Sequence, residues 1–395
     1  MPRLQAVNTS NKEDTGNDLK LEIGIAIYEP NNNAEIPNRT DFSRIELWME
    51  FKTKVQGPAF CDPRDSGAHH RANKVEAFVP NTVEGSKTRG QMTHYASAHH
   101  SLQFRHFSFS ILVEDNYARF LRWDRAGTVV TAAFDYREKP ELMAEFFCRF
   151  HGMSPAERGR DESVRLAKQL PEDDMRVRER LGIKDGIPLY EYTIPSLEEM
   201  GYAYGPRPPA TNHLLASRFS RTTPAVWVPA VAGNGASESR TKPESFSERC
   251  AKPGERPWRA ERLVFLKDTW RHLSRPGVEV MPEHEIYEIL HKNGTPNIPD
   301  LVAGGDVACG KTRTHEFTSM KWLRMKPGAW PFQHYRLALG VVGRALFKFD
   351  CTKQLVTGVL DALKGAFTLI FNQQYVDFQV QSSFARIRSR ETFAP

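Results

Sequence analysis

The stretch from Leu102 to Phe150 constrains the fold of this chain more than any other. Leu102 to Val113 and Ala118 to Trp123 are rich in aromatic and β-branched residues and read as strands. Asp124-Arg125-Ala126-Gly127 supplies turn chemistry before a third run, Thr128 to Tyr136. Pro140 then opens a segment in which Leu142, Met143, Phe146, Phe147 and Phe150 recur at helical spacing. A helix with one apolar stripe buries it most simply against the meander that precedes it, which predicts an α+β core. Phe146, Phe147 and Phe150 are expected against strand residues such as Phe109 or Leu121.

At 395 residues there is room for two or three cores. Upstream, Leu21 to Tyr28 reads as a short strand, and Arg44 to Lys52 alternates apolar with charged residues as a strand with one wet face would. Downstream, Pro155 to Lys184 is dominated by charge and is expected as a surface helix plus loop. Gly233 to Arg262 is polar, with few anchors, and is expected to be mobile. Leu263 to Lys267 is a compact β-run, followed by a helix over Glu283 to Lys292 with Ile286, Ile289 and Leu290 on one face. Leu337 to Val342 reads as a strand, and Lys353 to Ala366 as a helix with Leu355, Val359, Leu360 and Leu363 on one side.

Charge excludes little. The balance of 54 basic to 48 acidic residues gives +6, a mild excess. The clusters Arg176, Arg178, Arg180 and Arg386, Arg388, Arg390 lack the interleaved aromatics of a base-stacking groove, so nucleic acid is not an expected partner. The five cysteines are scattered with no Cys-x-x-Cys pair and read as reduced thiols. The doublets His69-His70 and His99-His100 have no matching ligand pair nearby, so no metal site is expected from them. With no 18-residue apolar run and a polar start, no membrane partner is expected, and the setting is read as cytoplasmic or nuclear rather than secreted.

Several ordered blocks resemble the fungal-type protein kinase family, the kinase-like group of mushroom-forming fungi. They are Arg89-Gly90-Gln91 with Tyr95, Gln103-Phe104-Arg105, Phe109-Ser110, Ala118 through Gly127, Phe134-Asp135-Tyr136, and Arg158-Gly159 with Asp161. Leu266-Lys267-Asp268-Thr269-Trp270-Arg271 looks like the family's strand bearing the ATP lysine, which makes Lys267 that lysine. Its helix partner is taken as Glu285, with Glu283 and Glu288 as competitors, because one sequence does not fix helical phase. His334-Tyr335-Arg336, Gly343 to Leu346 and Asp361-Ala362-Leu363 look like the hinge and the helix leading to the catalytic loop.

The resemblance implies an N-terminal meander and helix domain over 21–200, and the polar residues 1–20 before it are expected to be loose. A protein-kinase-like upper lobe with the start of a lower lobe is implied over 211–366, interrupted by 233–262, and 367–395 forms a divergent tail. It also implies ATP-dependent Ser/Thr-type phosphotransfer onto a protein that the sequence does not name. Yet neither a His-Arg-Asp nor an Asp-Phe-Gly motif occurs, and Phe219-Ser220-Arg221-Thr222 has no glycine where a phosphate loop needs one. The family pattern looks truncated before its catalytic loop. The expectation is therefore weak ATP binding, no Mg²⁺ and no phosphotransfer, or else a non-catalytic binding or scaffold role.

Two further patterns compete. Gly305-Asp306-Val307-Ala308-Cys309-Gly310-Lys311-Thr312 fits the phosphate-loop pattern letter for letter. Pro299 interrupts the strand that should precede it and Arg313 to Met325 lacks a helical stripe, so a surface segment between strands is expected. Asp41 with Glu50-Phe51-Lys52 has the letters of a metal-dependent nuclease strand. Alternating charges on a wet strand give the same letters.

Overall fold

A computed structural model describes residues 4–14, 21–30, 35–52, 57–62, 78–167, 178, 188–195, 203–206, 220–228, 262–275, 278–317, 330–340 and 349–371. The expectations for 53–56, 63–71, 168–177, 179–184, 233–261, Val342 to Leu346 and the C-terminal arginines lie outside these residues. The architecture is mixed α and β, built on two large sheets. No helix among the described residues is long and apolar enough to cross a membrane.

The first sheet contains β1 (Gln5–Asn8), β2 (Ile25–Tyr28), β3 (Ile45–Lys52), β4 (Phe107–Glu114), β5 (Tyr117–Asp124) and β6 (Gly127–Val130) in that order, with β7 (Phe134–Asp135) also pairing β5. The third run of the meander is thus split in two. Every pairing is antiparallel except β3 with β4, where Trp48 lies opposite Ser110. A parallel neighbour needs a crossover, and α1 (Val83–Leu102) lies in that connection. Thr82 caps α1 by accepting from the Gly85 N–H.

The two faces of the sheet are covered by different helices. Met92, Tyr95 and Ala96 of α1 join Trp48, Leu121 and Trp123 in one core, where the Tyr95 ring meets Trp48 edge-on at 5.4 Å. On the other face, Leu47, Met49, Ile111 and Val113 meet α2 (Pro140–Gly152). Phe146 stacks on Phe120 at 4.2 Å between centroids, and Phe109 contacts both Phe146 and Phe150. The expected packing of this helix on the meander is therefore present through Phe109, with Phe120 in place of Leu121, which faces α1 instead; Phe150 is buried and Phe146 and Phe147 are half-buried.

Because both faces are covered, β3 has no wet side from Ile45 to Glu50, and Phe51 at its end is exposed. Glu46 and Glu50, expected in solvent, are buried. Glu46 is matched by guanidinium groups and Glu50 by Lys52 at 2.6 Å.

The second sheet runs β15 (Leu301–Lys311), β16 (Phe332–Leu339), β12 (Arg262–His272), β11 (Ser220–Val228), β10 (Ala203–Pro206), β9 (Leu189–Tyr192), β8 (Val164–Leu166), all antiparallel. It starts earlier in the chain than the expected division at 200, since Val164 to Leu166 and Leu189 to Tyr192 are its last two strands. The described part of the charge-rich region after Pro155 contains strand β8, and the rest of the expected surface helix plus loop lies outside the described residues. A small hairpin pairs β13 (Ser274–Arg275) with β14 (Val278–Glu279). It precedes α3 (Glu283–Lys292), whose limits match the expected helix. The last described helix, α4 (Thr352–Phe371), extends beyond the expected one. Its Val356, Val359, Leu360, Leu363 and Phe367 are exposed.

Candidate functional site

Side chains of β12 alternate between two environments, as a strand requires. Val264, Leu266, Asp268 and Trp270 are buried, while Phe265, Lys267 and Thr269 occupy the other face and are half-buried. On that second face α3 is seated by Tyr287, which packs with Phe265, Leu301, Tyr335, Leu337 and Leu339. The Tyr335 hydroxyl accepts the backbone N–H of His284 at 2.7 Å and so fixes the start of the helix. Lys267 Nζ lies 2.6 Å from Glu283 Oε2.

The partner of Lys267 is thus Glu283, not Glu285. Glu283 and Tyr287 are four residues apart and share a helix face, so seating Tyr287 turns Glu283 toward the sheet. Glu285, two positions along, is rotated by roughly 200°. It is exposed, as is Glu288. Both partners of the pair are about one-third exposed, at 28% and 35%, so the contact orients the ammonium more than it stabilises the fold.

A denser arrangement lies on the opposite side of β12, between the two sheets. Asp161 accepts from Arg336 Nη2 at 2.8 Å, and Arg336 also gives Nη1 to Ser163 Oγ at 2.7 Å and to the Thr193 carbonyl at 2.9 Å. His334 bonds Asp268 through Nε2, stacks on Trp270 at 5.0 Å, and presents Nδ1 to His106 Nε2 at 3.1 Å. His106 enters from the first sheet, just before β4. Burial alone would raise the Asp268 carboxyl, but His334 and Arg336 outweigh it and hold the group well below the usual range. Asp161 is lowered in the same way, chiefly by Arg336. Burial holds the His334 imidazole below its ordinary pKa, against the pull of Asp268.

Beside this cluster, Glu46 of β3 takes Arg105 Nη2 at 3.0 Å and also pairs with Arg160, while Arg158 lies 3.7 Å away. A second tie between the sheets is Asp124 at the end of β5. It accepts the backbone N–H groups of Arg313 and Thr314 at 2.8 and 3.0 Å and the Thr314 hydroxyl at 2.8 Å. Gln103, Arg105, Asp124, Arg158, Asp161, Asp268, His334 and Arg336, all from the blocks of the family resemblance, are therefore engaged in holding the molecule together.

The phosphate-loop pattern proves to be strand. Gly305 to Lys311 is the second half of β15, and the described residues after it, up to Phe317, hold the single 3-10 turn Thr314–Phe317. A phosphate cradle needs consecutive backbone N–H groups converging at a helix N-terminus, which a strand does not supply. Gly310 has a packing reason instead: a Cβ there would stand 2.4 Å from His334 Cβ. Thr312, in place of binding Mg²⁺, exchanges hydrogen bonds with the backbone of Phe332.

The nuclease letters do not converge either. Asp41 precedes β3 and turns back on the Ser43 N–H and hydroxyl, while Glu50 lies five residues beyond Ile45, roughly 17 Å along the strand. His99 and His100 are buried in α1, bonded to the Ile45 carbonyl and to Ser108 Oγ.

His106, Asp161 and His334 converge from segments 55 and 173 residues apart in the chain. No local spacing could have announced them. No family model, curated protein or solved structure matches this chain.

Proposed function

We propose that the second sheet and α3 form a nucleotide-binding lobe of protein-kinase type, in which Lys267, oriented by Glu283, receives the phosphates of ATP. The observation that carries this reading is the 2.6 Å Lys267–Glu283 pair across the contact between a central strand and a helix. In kinases a strand lysine is held by a helix glutamate in this manner, so that a single ammonium meets the phosphates at a fixed place. The setting supports it. Lysine strand β12, helix α3 and strands β15 and β16 follow in sequence, and β16 lies between β12 and β15 in the sheet.

Chemically the site suits an anion weakly. Lys267 has three donors, gives one to Glu283, and is exposed enough for a phosphate to reach the others. Phe265, two residues earlier on the same face, is taken up by the apolar cluster beneath α3, so it offers the base little open space. The Mg²⁺-holding and base motifs of phosphotransfer are not among the 395 residues. The reading is therefore ATP binding without phosphotransfer by this chain.

A thermal-shift titration with ATP and Mg²⁺ tests it, since a ligand that binds only the native state raises the melting temperature. The shift should appear in the wild type and vanish in Lys267→Met. An equal shift in both proteins would refute the assignment. Radiolabelled phosphate transfer to a protein substrate should stay at background in both.

The buried ties between the sheets favour a second reading, a non-catalytic scaffold that displays a surface to a protein partner. It spends the family-like residues on rigidity and needs no nucleotide. A folded wild type with no ATP-dependent shift selects it.

A further inference from the structure

We propose that His106, Asp161 and His334 form a binding site for a divalent transition ion of the zinc class, placed between the two sheets. His106 Nε2 and His334 Nδ1 are 3.1 Å apart, His106 Nε2 is 3.5 Å from Asp161 Oδ1, and His334 Nδ1 is 3.7 Å from Asp161 Oδ2. One donor atom from each residue lies within 4.8 Å of the others. Zinc bound at about 2.0–2.1 Å in a tetrahedron holds its ligand atoms roughly 3.3 Å apart; the two nitrogens already have that spacing, and a carboxylate oxygen within 4.8 Å of both has a short way to move to close on one ion.

Proton placement is already that of a ligand set. His334 Nε2 faces the Asp268 carboxylate and must carry the hydrogen, which leaves the Nδ1 lone pair directed into the cluster. A carboxylate behind a ligating imidazole is the usual outer partner of a histidine–metal bond. Asp161 Oδ1 is occupied by the Ser163 N–H and hydroxyl, whereas Oδ2 accepts from Arg336 and keeps a second lone pair. That oxygen is the third ligand. Without metal, His106 Nε2 carries a proton and donates it to His334 Nδ1. Binding moves that proton to His106 Nδ1, so the ring stays neutral and no proton need leave.

Charge agrees. Among the groups bonded directly to the cluster, Arg336 is the one cation facing two carboxylates, Asp161 and Asp268, and a divalent ion offsets that excess. Two nitrogens and one oxygen suit zinc among the biological cations, and hard ions such as Mg²⁺ or Ca²⁺ do not prefer imidazole. The fourth place falls to water. Because the ligands come from both sheets, the ion would fasten one to the other.

The test uses the full chain, stripped with a chelator and then titrated with zinc chloride. One equivalent of zinc should survive gel filtration and raise the melting temperature. X-ray absorption on the zinc-loaded wild type should give two imidazoles, oxygen, and no sulfur. His106→Gln should lose the retained zinc, and Asp268→Asn should weaken affinity about 10- to 100-fold. His94→Gln, at an exposed position on α1, should change nothing. Failure to retain zinc in the wild type, sulfur in its coordination shell, or undiminished zinc in folded His106→Gln would each overturn the site. Should the variants not fold, the two wild-type measurements decide alone.

Discussion

Acid should reveal the ionised state of Glu46 more directly than any truncation. Burial would raise this carboxyl, but the guanidinium groups of Arg105 and Arg160 outweigh it and bring the pKa from 4.5 down to about 2. A folded-state pKa below the unfolded one means that the unfolded chain binds the proton more readily. The stabilisation is therefore complete above the unfolded value and is lost as pH falls toward 2. The difference corresponds to about 3 kcal/mol, of which about 2 kcal/mol should be gone by pH 3. Since the lowered Asp161 and Asp268 also titrate in acid, the loss belonging to Glu46 must be isolated by comparison with Glu46→Gln, which keeps the shape and removes the charge. Urea denaturation of both proteins from pH 6 to pH 3 should show the wild-type advantage shrinking by about 2 kcal/mol. An advantage that stays constant across that range would mean that Glu46 is not an ionised partner of the arginines, and the reasoning would fail.

Three further outcomes are expected beside the first sheet. Gly159 has φ +97°, and a Cβ there would stand 2.0 Å from the Phe107 carbonyl oxygen, so Gly159→Ala should cost ~3 kcal/mol or more by chemical denaturation. Phe150→Ala should cost about 3–5 kcal/mol, because the ring is fully buried between α2 and the sheet. Leu142→Ala, on the exposed side of the same helix, should fall within about 0.5 kcal/mol of wild type, and a comparable loss there would contradict the assigned face.

What could be read from the sequence was local. The strand β5, the turn at Asp124 to Gly127, the aromatic stripe of α2 and the span of α3 all follow from periodicities within a dozen residues. Helix α1 escaped because Ser97, His99 and His100 break its apolar stripe with polar letters, although His99 and His100 are buried through hydrogen bonds. Its start could have been found from Thr82, a capping residue, followed by Glu84 in the first turn. The burial of β3 was hidden for a related reason. Glu46 looks like a solvent residue until Arg105, Arg158 and Arg160 are brought to it from more than 50 residues away. Lys267 was legible from its block, but its partner depended on helical phase, which Tyr287 sets only once α3 is seated on the sheet. Glycines mislead similarly: Gly310 is fixed by the approach of His334, and the phosphate-loop letters around it have no phosphate geometry.

The parallel contact of β3 with β4 also bears on the order in which this molecule assembles. Strands β4 and β5 are joined by a turn at Asp115 and Asn116, so their hairpin can close within microseconds and without help from the rest of the chain. Strand β3 has no such short route. It must wait until the connection containing α1 has folded across the sheet, a loop closure of more than 50 residues whose entropy is lost before any pairing repays it. The hairpin is thus the natural nucleus, and β3, carrying Glu46, arrives late. Until it docks, Arg105 lacks Glu46 and the Ile45 carbonyl as partners, so the ionic centre of the first sheet is completed only when β3 arrives.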